Sequence, residues 1–225
     1  MVLYVVGVGP GDPEYITIKA LKAIAKCVTV AAWRKILEQF RWLIGRKEVI
    51  EIDSRRVHEF VESIVKRAYS EDVCLLLRGD PFVSERNLMN TVISFCRMYR
   101  VDHIIISGVS SVNLVLAKLH IDLGNTVVLS LHSSKNIEED LASIEDILRL
   151  NRYLIIYPRT NFVDVIAMVK KISEKMVCDS TVYMFQRLSF SEENVVKFKL
   201  SEMLSMDRDL DAYTILVIEP CTEVY

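Results

Sequence analysis

The stretch Val5-Val6-Gly7-Val8-Gly9-Pro10-Gly11-Asp12-Pro13 constrains the fold of this chain more than any other segment. Val2, Leu3, Val5 and Val6 supply a short buried strand, and three alternating glycines then let the backbone turn sharply. Glycine tolerates positive φ and leaves room for a ligand against the main chain. Pro10 and Pro13 fix φ on either side, so the loop is stiff as well as open. A strand that ends in such a loop, with a helix starting near Thr17, is a ligand-binding arrangement of α/β proteins, although an ordinary tight turn uses the same residues. The loop is not a dinucleotide fingerprint, which needs G-x-G-x-x-G and an acidic residue at the end of the next strand. Here that strand ends in Trp33-Arg34-Lys35, and no Gly-Lys-Ser/Thr is present for a nucleoside triphosphate. The segment therefore points to a small ligand held by backbone, not to NAD or ATP.

Short apolar runs alternate with amphipathic segments through the first half. Strands are expected near 2–8, 27–32, 48–52, 73–78 and 103–107, and helices over 17–25, 34–43, 56–69 and 86–98. Val57, Phe60, Val61, Ile64, Val65 and Ala68 recur at three and four, the spacing of an amphipathic helix. Val73 to Leu77 is apolar throughout, as expected for a central parallel strand covered on both faces. In the second half, 127–131, 153–157, 181–185, 195–200 and 214–218 read as strands, with helices over 110–119, 137–149 and 162–175. The last three strands are joined by short polar segments with little room for helices, which predicts hairpins and a mixed sheet. The expected fold is two α/β lobes, residues 1–108 with a mostly parallel sheet and residues 109–225 with a mixed one.

Composition excludes several classes. The 225 residues are 51% hydrophobic, yet the apolar runs are far shorter than a bilayer span requires. No basic region precedes an apolar core at the N-terminus, so no signal peptide is expected. A net charge of −2 with interspersed signs gives no reason to expect nucleic acid. Cys27, Cys74, Cys96, Cys178 and Cys221 are widely spaced, without Cys-x-x-Cys, and read as small buried hydrophobes of a cytoplasmic protein. His58, His103 and His120 have no ligand-like spacing, so no metal site is expected.

Two further glycine turns follow the fourth and fifth strands: Arg78-Gly79-Asp80-Pro81-Phe82-Val83 and Ser107-Gly108-Val109-Ser110-Ser111. In a parallel sheet all three loops emerge at the carboxyl edge, where open α/β sheets bind ligands. Asp80 can accept hydrogen bonds from loop amides or from a ligand. Ser110 and Ser111 can cap the next helix.

These residues resemble the tetrapyrrole methylases, which use S-adenosylmethionine. Gly7-x-Gly9-Pro10-Gly11-Asp12-Pro13 with Ile16-Thr17 resembles the opening motif of that family, Gly79-Asp80-Pro81 the second, and Gly108-Val109-Ser110-Ser111 the third. The resemblance spans nearly the whole chain. Within the family, Leu129-Ser130-Leu131-His132 and Gln186-Arg187-Leu188-Ser189 with Glu192-Glu193 are similar to the branch that methylates C5 of cobalt-precorrin-7 in cobalamin synthesis. The departures are Arg78 where Ser or Gly is usual, Phe82-Val83-Ser84-Glu85 in place of Gly-Phe-Tyr-Gly, Ser107 for Pro, and Gln186 for Glu.

The resemblance implies S-adenosylmethionine folded in a cleft between the lobes, lined by Pro10, Gly79, Asp80, Val83, Ser110, Ser111, Tyr157 and Leu188. It also implies a cobalt-precorrin substrate, a homodimer, and a separate subunit that methylates C15 and decarboxylates. No residue stands out as a general base. His132 and Arg78 are the substrate-side candidates, and Arg34 and Arg159 share with Arg78 the ability to pair with acetate and propionate arms. A solvated surface role is the commoner use of each of these arginines. Two other readings use the same residues. One changes the acceptor, to another precorrin carbon or, as in the diphthine synthases, to a modified histidine on elongation factor 2. The other is a non-catalytic regulatory module that binds ligand without turnover.

Overall fold

Alternation of short apolar strands with amphipathic helices dictates crossover connections, because a parallel neighbour can be reached only by returning over one face of the sheet. The structure, a computed structural model, describes residues 1–83, 85–131, 137–159, 161–205 and 210–221. It comprises two compact units, Met1–Ser111 and Val112–Tyr225.

The first unit contains β1 (Val2–Gly7), α1 (Ile18–Lys26), β2 (Thr29–Ala32), α2 (Arg34–Gln39), α3 (Arg41–Ile44), β3 (Glu48–Glu51), α4 (Val57–Arg67), β4 (Val73–Leu77), α5 (Arg86–Tyr99) and β5 (Asp102–Ile106). Its sheet has the order β3-β2-β4-β1-β5, and every pairing is parallel. The central β4 is buried along its whole length, whereas the edge strands β3 and β5 carry exposed residues. Because successive side chains leave a strand on opposite faces, the β4 run serves two cores. Val73, Leu75 and Leu77 pack with Phe60, Val61, Ile64 and Val65 of α4 and with Leu88, Met89 and Val92 of α5. Cys74 and Leu76 pack on the other face with Ala20, Ala23 and Ile24 of α1 and with Ile36, Phe40 and Ile44. Full burial of an aliphatic side chain in such a layer contributes roughly 1.5–3 kcal/mol.

The helix expected over 34–43 is broken. Phe40 leaves helical geometry at φ −99° and ψ 18° between α2 and α3, and Gly45 at φ +61° ends the second piece. Ile36, Phe40 and Ile44 nevertheless keep the four-residue spacing that holds one apolar stripe on the sheet.

The second unit contains α6 (Ser111–Leu119, which begins at the last residue of the first unit), β6 (Thr126–Ser130), α7 (Ile137–Leu148), β7 (Tyr153–Tyr157), α8 (Phe162–Lys175), β8 (Thr181–Gln186), β9 (Asn194–Lys199), α9 (Leu200–Met203) and β10 (Thr214–Ile218). Its sheet, β6-β7-β10-β8-β9, pairs β6 with β7 in parallel and the remaining neighbours antiparallel. The mixed sheet is thus as expected, but the short helix α9 is not. Leu200 and Met203 are both buried against the α8 side of this sheet. The Glu202 carboxylate accepts from the Lys199 amide at 2.6 Å, which closes the first turn. The spacing of Leu200 and Met203 was the available signal, hidden by the brevity of the segment.

The cysteines depart further from the expectation. Cys27 is joined to Cys74 and Cys178 to Cys221 by disulfides, and only Cys96 is a free buried thiol. The paired residues are 47 and 43 positions apart, so only the packing of α1 on β4, and of the chain ends beside β8 and β10, brings them together. Burial pushes the Cys96 thiol up to about 11, which keeps it protonated and unreactive. Among the described residues no helix is long and apolar enough to cross a membrane. Titration of the denatured chain with a thiol reagent, without reductant, should find one thiol per molecule. Finding three or five would remove one or both bridges.

Candidate active site

In the first sheet β1 lies between β4 and β5, with Gly7 level with Leu77 and Val6 level with Ile106. The loops after these three strands therefore leave one edge side by side. Val8 donates to the Leu77 carbonyl at 2.9 Å and Gly79 donates to the Gly9 carbonyl at 2.7 Å, so the first and second loops remain paired beyond the strands. The approach is too close for side chains. A Cβ at Gly7 would lie 2.5 Å from the Gly79 carbonyl oxygen and 2.6 Å from the Gly108 nitrogen, and one at Gly108 would lie 2.7 Å from the Gly7 carbonyl carbon. Gly79 has a different reason to be glycine. Its φ of +63° is left-handed, while a Cβ there would meet nothing nearer than 3.9 Å. A side chain there would come into ordinary contact with the third loop, at the Val109 carbonyl and the Ser110 Cα, so the backbone conformation is what calls for glycine.

Asp80 ties the loops together. One carboxylate oxygen accepts from the Phe82 amide at 2.8 Å and the other from the Gly108 amide at 3.2 Å. Val83 donates to the Asp80 carbonyl at 3.0 Å and closes the turn. Of the two uses expected for Asp80, the loop-amide role is the one these contacts display. In the first loop Pro10 is buried, the Asp12 carboxylate accepts from the Glu14 amide at 2.8 Å, and Thr17 caps α1 through the Ala20 amide at 3.1 Å. Ser110 is buried in the third loop, and Ser111 is the first residue of α6. Pro10, Gly79, Asp80, Val83, Ser110 and Ser111 are therefore gathered on three adjoining loops.

Arg78 separates β4 from Gly79. Its guanidinium donates to the side-chain carbonyl of Gln39 at 3.2 Å, and the Gln39 amide donates to the Gly11 carbonyl. Sequence reading gave Gln39 no role, since it belongs to no motif and only the docking of α2 brings it to the loops. Arg34 is exposed and pairs with Glu38 at 3.0 Å, and Arg159 lies 3.4 Å from Asp164. Of the three arginines, Arg78 is the one that contacts the glycine loops through a shared partner. His132 and Ser84 lie outside the described residues.

In the second unit, Tyr157 ends β7 and Leu188 follows β8. Both belong to the cluster formed by Leu114, Val115, Ile155, Phe185, Ile215 and Val217. The turn around Leu188 is held in an uncommon shape, with Arg187 at φ +51° and Ser189 at φ +68°. Arg187 pairs with Asp211 at 3.0 Å, and the Glu193 carboxylate accepts from the Ser189 amide at 2.7 Å and from Lys118 at 2.6 Å. Burial acts to raise the Glu193 pKa, but Lys118 and the Ser189 amide outweigh it and hold the group below the usual glutamate value. That stabilisation of the turn is present above the ordinary glutamate pKa and is lost as pH falls through the lowered one.

Comparison with known proteins places these features. The family model of Tetrapyrrole (Corrin/Porphyrin) Methylases matches residues 2–204. A probable cobalt-precorrin-7 C(5)-methyltransferase of Methanocaldococcus jannaschii is 25% identical over 99% of this chain and 100% of its own. Among solved structures, the methyltransferase CobJ superposes with a TM-score of 0.82 at 15% identity, over 97% of this chain and 93% of its own. Uroporphyrin-III C-methyl transferase from Thermus thermophilus, complexed with S-adenosylhomocysteine, gives 0.76 at 20% identity over 97% of both chains. The folds are the same, with one parallel and one mixed sheet.

The glycine geometry separates two kinds of substitution. Gly79→Ala should cost only about 1–2 kcal/mol, the strain of a left-handed side chain. Gly7→Ala and Gly108→Ala should cost more than about 4 kcal/mol, because backbone itself must move. Urea unfolding followed by circular dichroism measures both. Equal, small losses would remove the close-packed junction.

Proposed function

The chain belongs to the tetrapyrrole (corrin/porphyrin) methylases, and from that premise we propose that it methylates C5 of cobalt-precorrin-7. It is an S-adenosylmethionine-dependent methyltransferase. The choice of acceptor is supported by the full-length likeness to the Methanocaldococcus protein of that name. The observation that carries the cofactor site is the junction of the three glycine loops, with Gly79 left-handed at φ +63° and its amide bonded to the Gly9 carbonyl.

The cofactor residues are Pro10, Gly79, Asp80, Val83, Ser110 and Ser111 on the three loops, with Tyr157 and Leu188 assigned by family likeness. They fit the group, since glycine backbone admits a flat, polar ligand edge-on and the loops offer main-chain donors and acceptors. S-adenosylmethionine supplies an electrophilic methyl group on a sulfonium. A meso carbon of a reduced tetrapyrrole is enamine-like and attacks such a methyl directly, so the chain's part is mainly to hold two reactants in line. Such ordering is worth up to roughly 7–11 kcal/mol of barrier. The Asp80 and Gln39 contacts suit that task because they lock loops instead of moving protons. In the same reading the protein acts as a homodimer in the cytoplasm, and a separate subunit carries out the C15 methylation and decarboxylation.

Calorimetric titration with S-adenosylhomocysteine should give a dissociation constant in the micromolar range for the wild type and none measurable for Gly79→Val, whose side chain enters the cradle. Incubation with cobalt-precorrin-7 and S-adenosylmethionine labelled in its methyl group should then place the label on C5, read by NMR. Transfer to elongation factor 2 instead would make the acceptor a modified histidine. Binding without transfer to either would leave a regulatory module.

A further inference from the structure

We propose that the groove between the end of α5 and the start of β5 is a second binding site, for a phosphate ester of a hydroxylated carbon skeleton, held by Arg97, Arg100 and His103. The groove spans about 630 Å³, a volume usual for small-molecule sites. Its polar lining is Arg97, Arg100, Asp102 and His103, and its apolar lining includes Val101, Ile104 and the buried Cys96. None of its lining residues belongs to the three glycine loops. It lies at the amino end of β5, whereas the third glycine loop leaves the carboxyl end, so about 13 Å of strand separates the two.

The helix end that shapes this groove is unusual. Val101 donates to the Cys96 carbonyl at 2.9 Å and Arg100 to the Arg97 carbonyl at 3.3 Å, the paired closure in which the left-handed residue is usually glycine. Here that residue is Arg100, at φ +53°. An arginine there is strained, and glycine would close the same turn without strain. A strained residue beside a cavity points to function, since folding alone would be better served by glycine. Arg34, Arg56 and Arg67 of the same unit each pair with a carboxylate. Among the described residues, the side chains of Arg97, Arg100 and His103 have no hydrogen-bonded or ionic partner, and Asp102 in the same lining is joined to none of them. Two guanidiniums and an imidazole around one concavity offer donors to the oxygens of a phosphate, which arginine engages through two parallel hydrogen bonds. Ionised Asp102 only accepts, so it disfavours a bare anion and suits a ligand whose phosphate is followed by hydroxyl groups. Val101 and Ile104 give the carbon skeleton an apolar wall.

Ribose 5-phosphate serves as the probe, with inorganic phosphate and ribose as its two halves, and binding to the full-length protein is read by calorimetry. S-adenosylhomocysteine affinity is measured in parallel on the same proteins. The wild type should bind ribose 5-phosphate saturably and about tenfold or more tightly than inorganic phosphate, the value of hydrogen bonds to the Asp102 carboxylate. Ribose alone should not bind measurably. Arg97→Gln and Arg100→Gly should each weaken ribose 5-phosphate roughly ten- to a hundredfold, the value of a charge-assisted pair, while S-adenosylhomocysteine binds as in the wild type. His103→Gln should weaken it roughly three- to tenfold. Arg100→Gly also relieves the left-handed strain, so it should lose the phosphate while unfolding at no lower temperature than the wild type. That outcome separates loss of the site from loss of the fold. Asp102→Asn removes the opposing charge; it should tighten inorganic phosphate and narrow its gap from ribose 5-phosphate. Added salt should weaken wild-type binding more steeply than that of Arg97→Gln. If Arg97→Gln does not fold, Arg100→Gly and Asp102→Asn carry the comparison. A wild type that does not bind ribose 5-phosphate, or binds inorganic phosphate as tightly, overturns the inference, as does unchanged affinity in the folded arginine variants. None of these results bears on the methylase reading, which S-adenosylhomocysteine binding tests separately.

Discussion

Three backbones meet where side chains cannot. Gly7, Gly79 and Gly108 come from loops separated by about thirty to a hundred residues, yet any Cβ at the first or the last would overlap main-chain atoms of another. Close packing of this kind is intolerant because there is no flexible side chain to yield, only peptide groups already hydrogen-bonded. Everything proposed for the cofactor loops depends on it. The Gly9–Gly79 pairing extends the sheet past the ends of β1 and β4, and the Asp80 carboxylate then reaches the Gly108 amide. A cradle of fixed main-chain groups follows from packing before any ligand is considered.

The second consequence is rigidity of the loops proposed to hold the cofactor, where methyl transfer needs alignment. Methyl transfer from a sulfonium to an electron-rich carbon requires little proton handling, so preorganisation is where the protein can act. Asp80 spends its oxygens on loop amides, Thr17 and Asp12 cap the turn that leads to α1, and Gln39 fastens the Gly11 carbonyl to Arg78. These polar groups organise the loops, and the catalytic power is expected to lie in position. The same economy holds in the second unit, where Glu193 joins α6 to the turn that carries Leu188.

Much of the fold was legible because it rests on local periodicity. The continuous run Val73 to Leu77 announced a buried central strand, and its alternate residues do pack on opposite faces against α4 and α5 or α1. The three-and-four spacing from Val57 to Ala68 announced α4. The break at Phe40 was not legible, since the apolar stripe of Ile36, Phe40 and Ile44 runs unbroken across it. The helix Leu200–Met203 was too short to show a period, and the pairing of Cys27 with Cys74 depends on which helix covers which strand.

The sequence by itself determined the strand-and-helix order, the parallel and mixed character of the two sheets, and the three glycine loops at strand ends. Each of these follows from residue type and spacing along the chain, where backbone conformation and face are set within a few neighbours. Only the tertiary structure decided that Gly7 and Gly108 are glycine for want of space while Gly79 is glycine for its φ, that Asp80 serves amides, and that Gln39 stands between Gly11 and Arg78. Those are contacts between residues 28 to 101 positions apart. They exist only once strand order and helix docking are fixed, and no pattern within a single element encodes them.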